Sequence, residues 1–462
     1  MRILLIVYDN DSHLSNFPFG IAYIAAACRK AGHKVEIYNQ DLYHWPETHL
    51  RDLLDREDFD LVGIGVVGGY YQYRKLLKIS EAINQSKKRP FYLIGGHGPS
   101  PEPEYFLKKT KADAVVIGEG EETVVELLRA LEEKQSFVDV AGIAFLNHGK
   151  LIQTPRRKLI SDIDKIPFPA WDLLPMDYYA LFRAVNIRNN QRYMAVLSGR
   201  GCVFQCAFCY RMDPGFRPRS AESIIEEINI LKSKYQVSYI EFLDELFMNS
   251  VERTVGLCES FIKAKLDINW ACNGRLNFAR KDVLKLMKES GCVFINYGIE
   301  SLDEQALRLM NKALTVKQIT EGIENTLDCG ISPGFNIIFG NRGETKESLK
   351  KGVDFLLKYD NHAQLRTIRP VTPYPGSPLY YYAIEKGLLK DCADFYEKKH
   401  LNSDLLSVNF TDLSDKEFHR ALLEANVKLI NKYFESKKKS VVRQSENLYL
   451  NKDAGFRGYR QT

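Results

Sequence analysis

The sequence predicts an α/β protein made of two successive parallel sheets. The first is an N-terminal doubly wound sheet of the flavodoxin or Rossmann type, the second a partial (β/α)6 barrel, and a mostly helical C-terminal extension follows. Three observations predict it. Short apolar runs alternate with amphipathic stretches through residues 1–135, and the alternation restarts at residue 193 after a proline-rich interruption. Glycine and charged residues collect where the apolar runs end, the edge at which parallel sheets bind ligands.

In chain order, the strand candidates of the first sheet are RILLIVY (2–8), KVEIYNQ (34–40), LVGIGVV (61–67), FYLIGGH (91–97) and AVVIGEG (114–120). Nearly continuous apolar character suits strands covered on both faces. Between them, stretches such as GIAYIAAACRKAG and YRKLLKISEAINQ carry the helical period. The loops after the strands hold Gly68, Gly69, Gly95, Gly96, Gly118 and Gly120. Glycine there lets a flat, bulky ligand approach the backbone, so these six are candidate ligand contacts.

Residues 136–192 change character. AGIAFLNHGKLIQTP predicts a hairpin turning at His148-Gly149, and IPFPAWDLLPMDYY, with clustered prolines, predicts an ordered linker. The barrel is expected over residues 193–380, with strands at 193–199, 238–244, 267–274, 292–300, 334–340 and 364–371. Their spacing of roughly 30 residues is that of successive β/α units. Residues 381–462 read as a helical extension with a polar tail from Gln444.

Composition excludes several classes. A net charge of +5 over 462 residues gives no basic face for nucleic acid. No apolar run approaches the roughly 18 residues of a membrane span. The start MRILLIVYDNDSH reads as a first buried strand rather than a signal peptide. Nine cysteines, odd in number and scattered apart from one cluster, predict reduced thiols and a cytoplasmic setting.

The cluster is Cys202-Val-Phe-Gln-Cys206-Ala-Phe-Cys209, a CxxxCxxC just after the first barrel strand. Three thiolates on one loop can hold three irons of a 4Fe–4S cube and leave the fourth open. A zinc site would ordinarily want a second cysteine pair, and none stands nearby. Cys28, Cys258, Cys272, Cys292, Cys329 and Cys392 sit singly and read as small core hydrophobes.

With these residues the chain resembles the radical S-adenosylmethionine enzymes, specifically their cobalamin-binding subgroup, from residue 1 to about 380. The resemblance implies electron transfer from the cluster to the sulfonium, releasing methionine and a 5′-deoxyadenosyl radical that abstracts hydrogen from substrate. It implies oxygen sensitivity and a low-potential electron donor such as flavodoxin or ferredoxin. Phe208 matches the position whose backbone touches the adenine, and Asp244-Glu245 match acceptors for the methionine amino group. Glu300-Ser301 match the segment near the ribose and carboxylate, and Arg275 is placed for a carboxylate. Ile337, Ile338 and the Gly340–Glu344 turn match the strand lining the adenine. The bland alternatives are that Asp244 and Glu344 cap helices and Arg275 pairs with a surface acid.

The N-terminal half resembles the subgroup's cobalamin domains through FPFGIAYIAAACRKAGHKVEI, IGGHGPSPEPE and VIGEGEETVVEL. Asp11-Ser-His13-Leu-Ser-Asn16 approaches a DxHxxG ligand pattern but ends in Asn, so His13 is an axial-ligand candidate against a solvent-facing loop residue. His97 is open in the same way, and a degenerate domain without cofactor is the alternative to cobalamin. The expected reaction is methyl transfer to an unactivated carbon of a small molecule, with radical cyclisation, dehydration or rearrangement (porphyrin cyclisation included) as the other reading. A sensor without turnover would not need Asp244-Glu245 and Gly298-Ile-Glu-Ser301, and a nucleic-acid enzyme would show a basic module. Tyr374, Tyr380, Tyr381 and Tyr382 read either as a substrate wall or as packing.

Overall fold

The computed structural model describes residues 1–11, 16–212 and 214–455. His13 lies outside the described residues. Among the described residues the first sheet has seven strands: β1 (Arg2–Val7), β2 (Lys34–Asn39), β3 (Leu61–Gly65), β4 (Phe91–Gly95), β5 (Ala114–Val116), β6 (Ile143–Asn147) and β7 (Lys150–Gln153), in the order β2-β1-β3-β4-β5-β6-β7. β1 to β5 pair in parallel. The 2-1-3-4-5 order is that of flavodoxin, with the topological switch point between β1 and β3. β1 is buried along nearly its whole length, as an inner parallel strand must be.

The hairpin expected within the connecting stretch joins this sheet: β6 pairs antiparallel with β5 and with β7. Its turn is His148-Gly149, both at positive φ, which suits a tight two-residue hairpin. The proline-rich segment is a wedge rather than a tether. Trp171 is buried with its ring 4.5 Å from Phe17, and the Tyr179 hydroxyl accepts a hydrogen bond from Asn39. Phe182, Ala184, Val185 and Ile187 then pack against Tyr193, Tyr239 and Phe294.

The second sheet contains β8 (Tyr193–Val196), β11 (Tyr239–Phe242), β12 (Asn269–Gly274), β13 (Cys292–Glu300), β14 (Ser332–Phe339) and β15 (Arg369–Pro370), neighbours in chain order and all parallel. The expected last strand shrinks to two residues because Arg366 turns to Asp360 and the Pro333 carbonyl instead. Between β8 and β11 a two-stranded ribbon, β9 (Gly199–Cys202) with β10 (Gly215–Pro218), was not expected from the sequence. It closes the neck of the cysteine loop.

After the barrel the chain straps back over the first domain. Tyr396 stacks on Tyr73 at 4.6 Å, and Tyr380 is buried near Phe395, so Tyr380 is packing rather than pocket wall. A 35-residue helix, Asp415–Tyr449, follows, capped by Ser414 and Glu417 and seated through Phe418 on Phe339. It runs past Gln444, where a polar tail was expected. Of the single cysteines, Cys28, Cys258, Cys272, Cys292 and Cys392 are buried as expected, whereas Cys329 is only half-buried at its helix end.

Candidate functional site

Hydrogen bonds from three directions hold the cysteine loop in shape. The Ala207 amide donates to the Met310 carbonyl, Asn311 donates to the Gln205 carbonyl, and the Leu379 amide donates to the Ala207 carbonyl. Cys206 is buried, while Cys202 and Cys209 are half-buried, and all three are free thiols. A hydrogen bond from Cys209, helped by the Lys312 and Arg275 cations, holds the Cys206 thiol below its ordinary value. The same shared bond, together with burial, pushes Cys209 up. Among the described residues no group of three His, Cys, Asp or Glu side chains is arranged to hold a single metal ion. A cube makes a different demand, since each thiolate binds its own iron.

Two cations back the loop. The Arg275 guanidinium lies 3.5 Å from the centroid of the Phe204 ring and donates to the Lys312 and Ala313 carbonyls. It is buried, and among the described residues its hydrogen bonds go to backbone carbonyls rather than to a surface acid, against the bland alternative. Lys312, which the sequence reading missed, sits 5.7 Å from the centroid of the half-buried Phe208 ring and pairs with Glu300 at 2.9 Å. Both partners of this pair are buried. Glu300 takes a positive φ of 67° at a break in the β13–β14 register, and a Cβ on Gly298 would strike both partners. The pair thus rests on a glycine two residues upstream.

Asp244 is buried and accepts from the Ser198 amide and hydroxyl and from the Gly199 amide. It ties the end of β11 to the end of β8 and also borders a cavity between the two sheets. Glu245 beside it is exposed and lines the same cavity. Ser301 donates to Glu344, which also accepts from the Gly340 and Asn341 amides. Burial nevertheless pushes Glu344 up to about 7. It caps no helix; it fixes the turn after β14. Ile337 is buried and Ile338 half-buried on β14. A ladder of amides, also missed, crosses the barrel sheet. Asn336 donates to Asn296, Asn296 to Asn273, and Asn273 to the Asp244 carbonyl.

A cavity of about 860 Å³ lies between the two sheets. One wall comes from the carboxyl ends of β1, β3, β4 and β5, including Gly95, Gly96, Gly118 and Gly120; the other includes Leu197, Gly201, Leu243 and Glu245. Its size is near the upper end of ligand pockets, about 300–1,000 Å³. Gly96 is irreplaceable in shape, at φ +97° with Val66 O only 2.6 Å from any added Cβ. His97 borders the cavity, and burial lowers its pKa. Gly68 and Gly69 do not line it. Gly68 lies instead beneath Tyr374 and Tyr396, because the C-terminal strap covers the loop after β3. The sequence reading also missed Asn16, Gly20, Gly63 and Gly65 on the wall; of these, Gly20 flanks an apolar run and Gly63 and Gly65 interrupt one, a signal by which they could have been found.

Residues 196–356 match the family model of the Radical SAM superfamily, and residues 1–128 match the B12 binding domain. An uncharacterized methyltransferase of Pyrococcus horikoshii is 32% identical over 401 residues, covering 84% of each chain. The anaerobic magnesium-protoporphyrin IX monomethyl ester cyclase of Rubrivivax gelatinosus is 27% identical, across 79% of this chain and 65% of its own. The radical S-adenosylmethionine methyltransferase TsrM from Kitasatospora setae, solved with cobalamin and a [4Fe-4S] cluster bound, superposes with a TM-score of 0.73 at 16% identity. That superposition covers 93% of this chain and 88% of that one. The matched domains imply S-adenosylmethionine and a 4Fe–4S cluster in the barrel, where the donor set fits, and cobalamin in the first domain, where the cavity fits. The chain belongs to the cobalamin-binding radical S-adenosylmethionine enzymes.

Proposed function

We propose that the protein methylates an unactivated carbon of a small-molecule substrate. The observation that carries this reading is the shared cavity: the glycine edge of the first sheet and the barrel's strand ends border one space. Such a space lets a methyl donor in one domain face a radical source in the other. When bound, the cluster and S-adenosylmethionine supply a hydrogen-abstracting radical, and cobalamin supplies the methyl group that the carbon radical takes up.

The chain's own residues would divide the work as follows. Cys202, Cys206 and Cys209 hold the cluster, with Arg275 and Lys312 offsetting the thiolate charge. Glu245 accepts from the methionine amino group, while Asp244 keeps the loop in register. Glu300 and Ser301 serve the ribose side, and Phe208 and Ile338 the adenine side. Gly95, Gly96, Gly118 and Gly120 admit the cobalamin. Residues 1–135 form the cobalamin domain, 136–192 the hairpin and linker, 193–380 the barrel and 381–462 the extension. A flavodoxin or ferredoxin donor and an anaerobic cytoplasmic setting belong to the same reading.

The second reading is radical cyclisation, dehydration or rearrangement without methyl transfer, favoured by the similarity to the Rubrivivax cyclase. Product analysis separates the two. Protein reconstituted anaerobically with iron, sulfide and cobalamin is given a low-potential reductant, methyl-labelled S-adenosylmethionine and small-molecule extracts. Label in a new carbon–carbon bond, with S-adenosylhomocysteine and 5′-deoxyadenosine in equal amounts, supports methylation. A product formed with 5′-deoxyadenosine alone sinks methylation in favour of the second reading.

A further inference from the structure

One carboxylate of the first domain grips the neck of the cysteine loop. Glu119 stands between Gly118 and Gly120 on the cavity wall. Its two oxygens accept from Arg200 and Arg217, each at 2.8 Å. Those arginines face each other across the β9–β10 ribbon, and β9 ends at Cys202. Glu121 takes the other arm of Arg200 at 2.5 Å, and Arg217 also donates to the Ile160 carbonyl. The carboxylates are 9% exposed and the arginines 18% and 14%, so the four charges are shielded from water and bind each other more strongly than surface pairs.

We infer that Glu119 is a positioning residue that couples filling of the N-terminal cavity to the alignment of the cluster loop. The inference rests on the reading of that cavity as the cobalamin site. A ligand against Gly118 and Gly120 restrains the segment between them, and that segment carries both ion pairs. Restraining Glu119 fixes Arg200 and Arg217, and with them the ribbon from which Cys202 emerges. Coupling of this kind is reciprocal: whatever cobalamin does for the cluster loop, an assembled cluster does for cobalamin binding by the same factor. Among the described residues Arg200, Gly201 and Arg217 of the ribbon line the cavity and the three cysteines do not, so the shared element is the ribbon with its carboxylate clasp.

The test uses the full-length chain with hydroxocobalamin as probe. Its Kd is read by spectroscopic titration in protein with the cluster assembled and in protein from which iron and sulfide were withheld. In the natural sequence cluster assembly should tighten hydroxocobalamin binding by about five-fold or more, the lower end of typical couplings. In Glu119→Gln, which keeps the shape and loses the charge, the two Kd values should coincide. Should that variant lose its cooperative melting transition, Arg217→Lys replaces the fork by a point charge and should weaken the coupling likewise. A Kd indifferent to the cluster in the natural sequence, or full coupling surviving in a folded variant, overturns the inference. Absence of any hydroxocobalamin binding in the natural sequence overturns the cofactor reading itself, and the inference with it.

Discussion

The two parallel sheets present their carboxyl-end edges to one space with opposite chemistry. The edge of the first is mostly glycine and aliphatic side chains, such as Gly65, Gly95, Gly96, Val66 and Val116. The edge of the barrel holds buried charge: Asp244, which borders the cavity, and Arg275, Glu300, Lys312 and Glu344, which lie outside its lining. The contrast shows two ways to prepare a site. Omitting side chains makes room for a large ligand against the backbone, whereas burying ions in fixed pairs holds charge where a small polar ligand needs it. The first edge should therefore fail by steric filling and the second by charge removal.

The charged edge has the largest expected effect. Replacing Cys202, Cys206 or Cys209 by Ala should abolish 5′-deoxyadenosine formation, read by chromatography of quenched reactions; persistence of that product would refute the cluster assignment. Lys312→Met leaves Glu300 buried without its partner and should cost about 3–5 kcal/mol of stability in denaturant titration. The double variant Lys312→Met/Glu300→Gln should recover most of the loss, and a single variant as stable as the natural sequence would show that the pair carries no such weight.

Glu344 sharpens the same edge through pH. Its folded pKa of about 7 lies above the ordinary 4.5, so the folded state holds a proton that the unfolded chain releases earlier. Its contribution is full below pH 4.5 and is lost as pH rises through 7, by roughly 3 kcal/mol. Comparing denaturation midpoints at pH 5 and pH 8, Glu344→Gln should shrink the difference between them. An unchanged difference would mean that other groups carry it.

The glycine edge gives smaller, positional effects. Gly96→Ala forces a Cβ against Val66 O at φ +97° and should cost about 1–3 kcal/mol while weakening hydroxocobalamin binding. Gly68→Ala meets the hydroxyl of Tyr396, 3.2 Å away, and the ring of Tyr374 at 3.4 Å, away from the cavity, and should leave hydroxocobalamin affinity unchanged. Equal losses of hydroxocobalamin affinity from the two substitutions would erase the distinction between lining and strapped glycines.

The sequence by itself determined whatever short-range pattern can specify. Strand and helix periods placed both sheets, and three thiols within eight positions placed the cluster loop, because ligands so close in the chain share one turn whatever surrounds them. The turn at His148-Gly149 was legible for the same reason. Tertiary structure alone decided the partners. Glu119 meets Arg200 and Arg217 at separations of 81 and 98 residues, and Asp244 meets Ser198 at 46. The C-terminal strap covered Gly68, and packing between the domains seated the ordered linker as a wedge. Such contacts depend on sheet register and on how two cores seat against each other, and no local period of apolar residues encodes either.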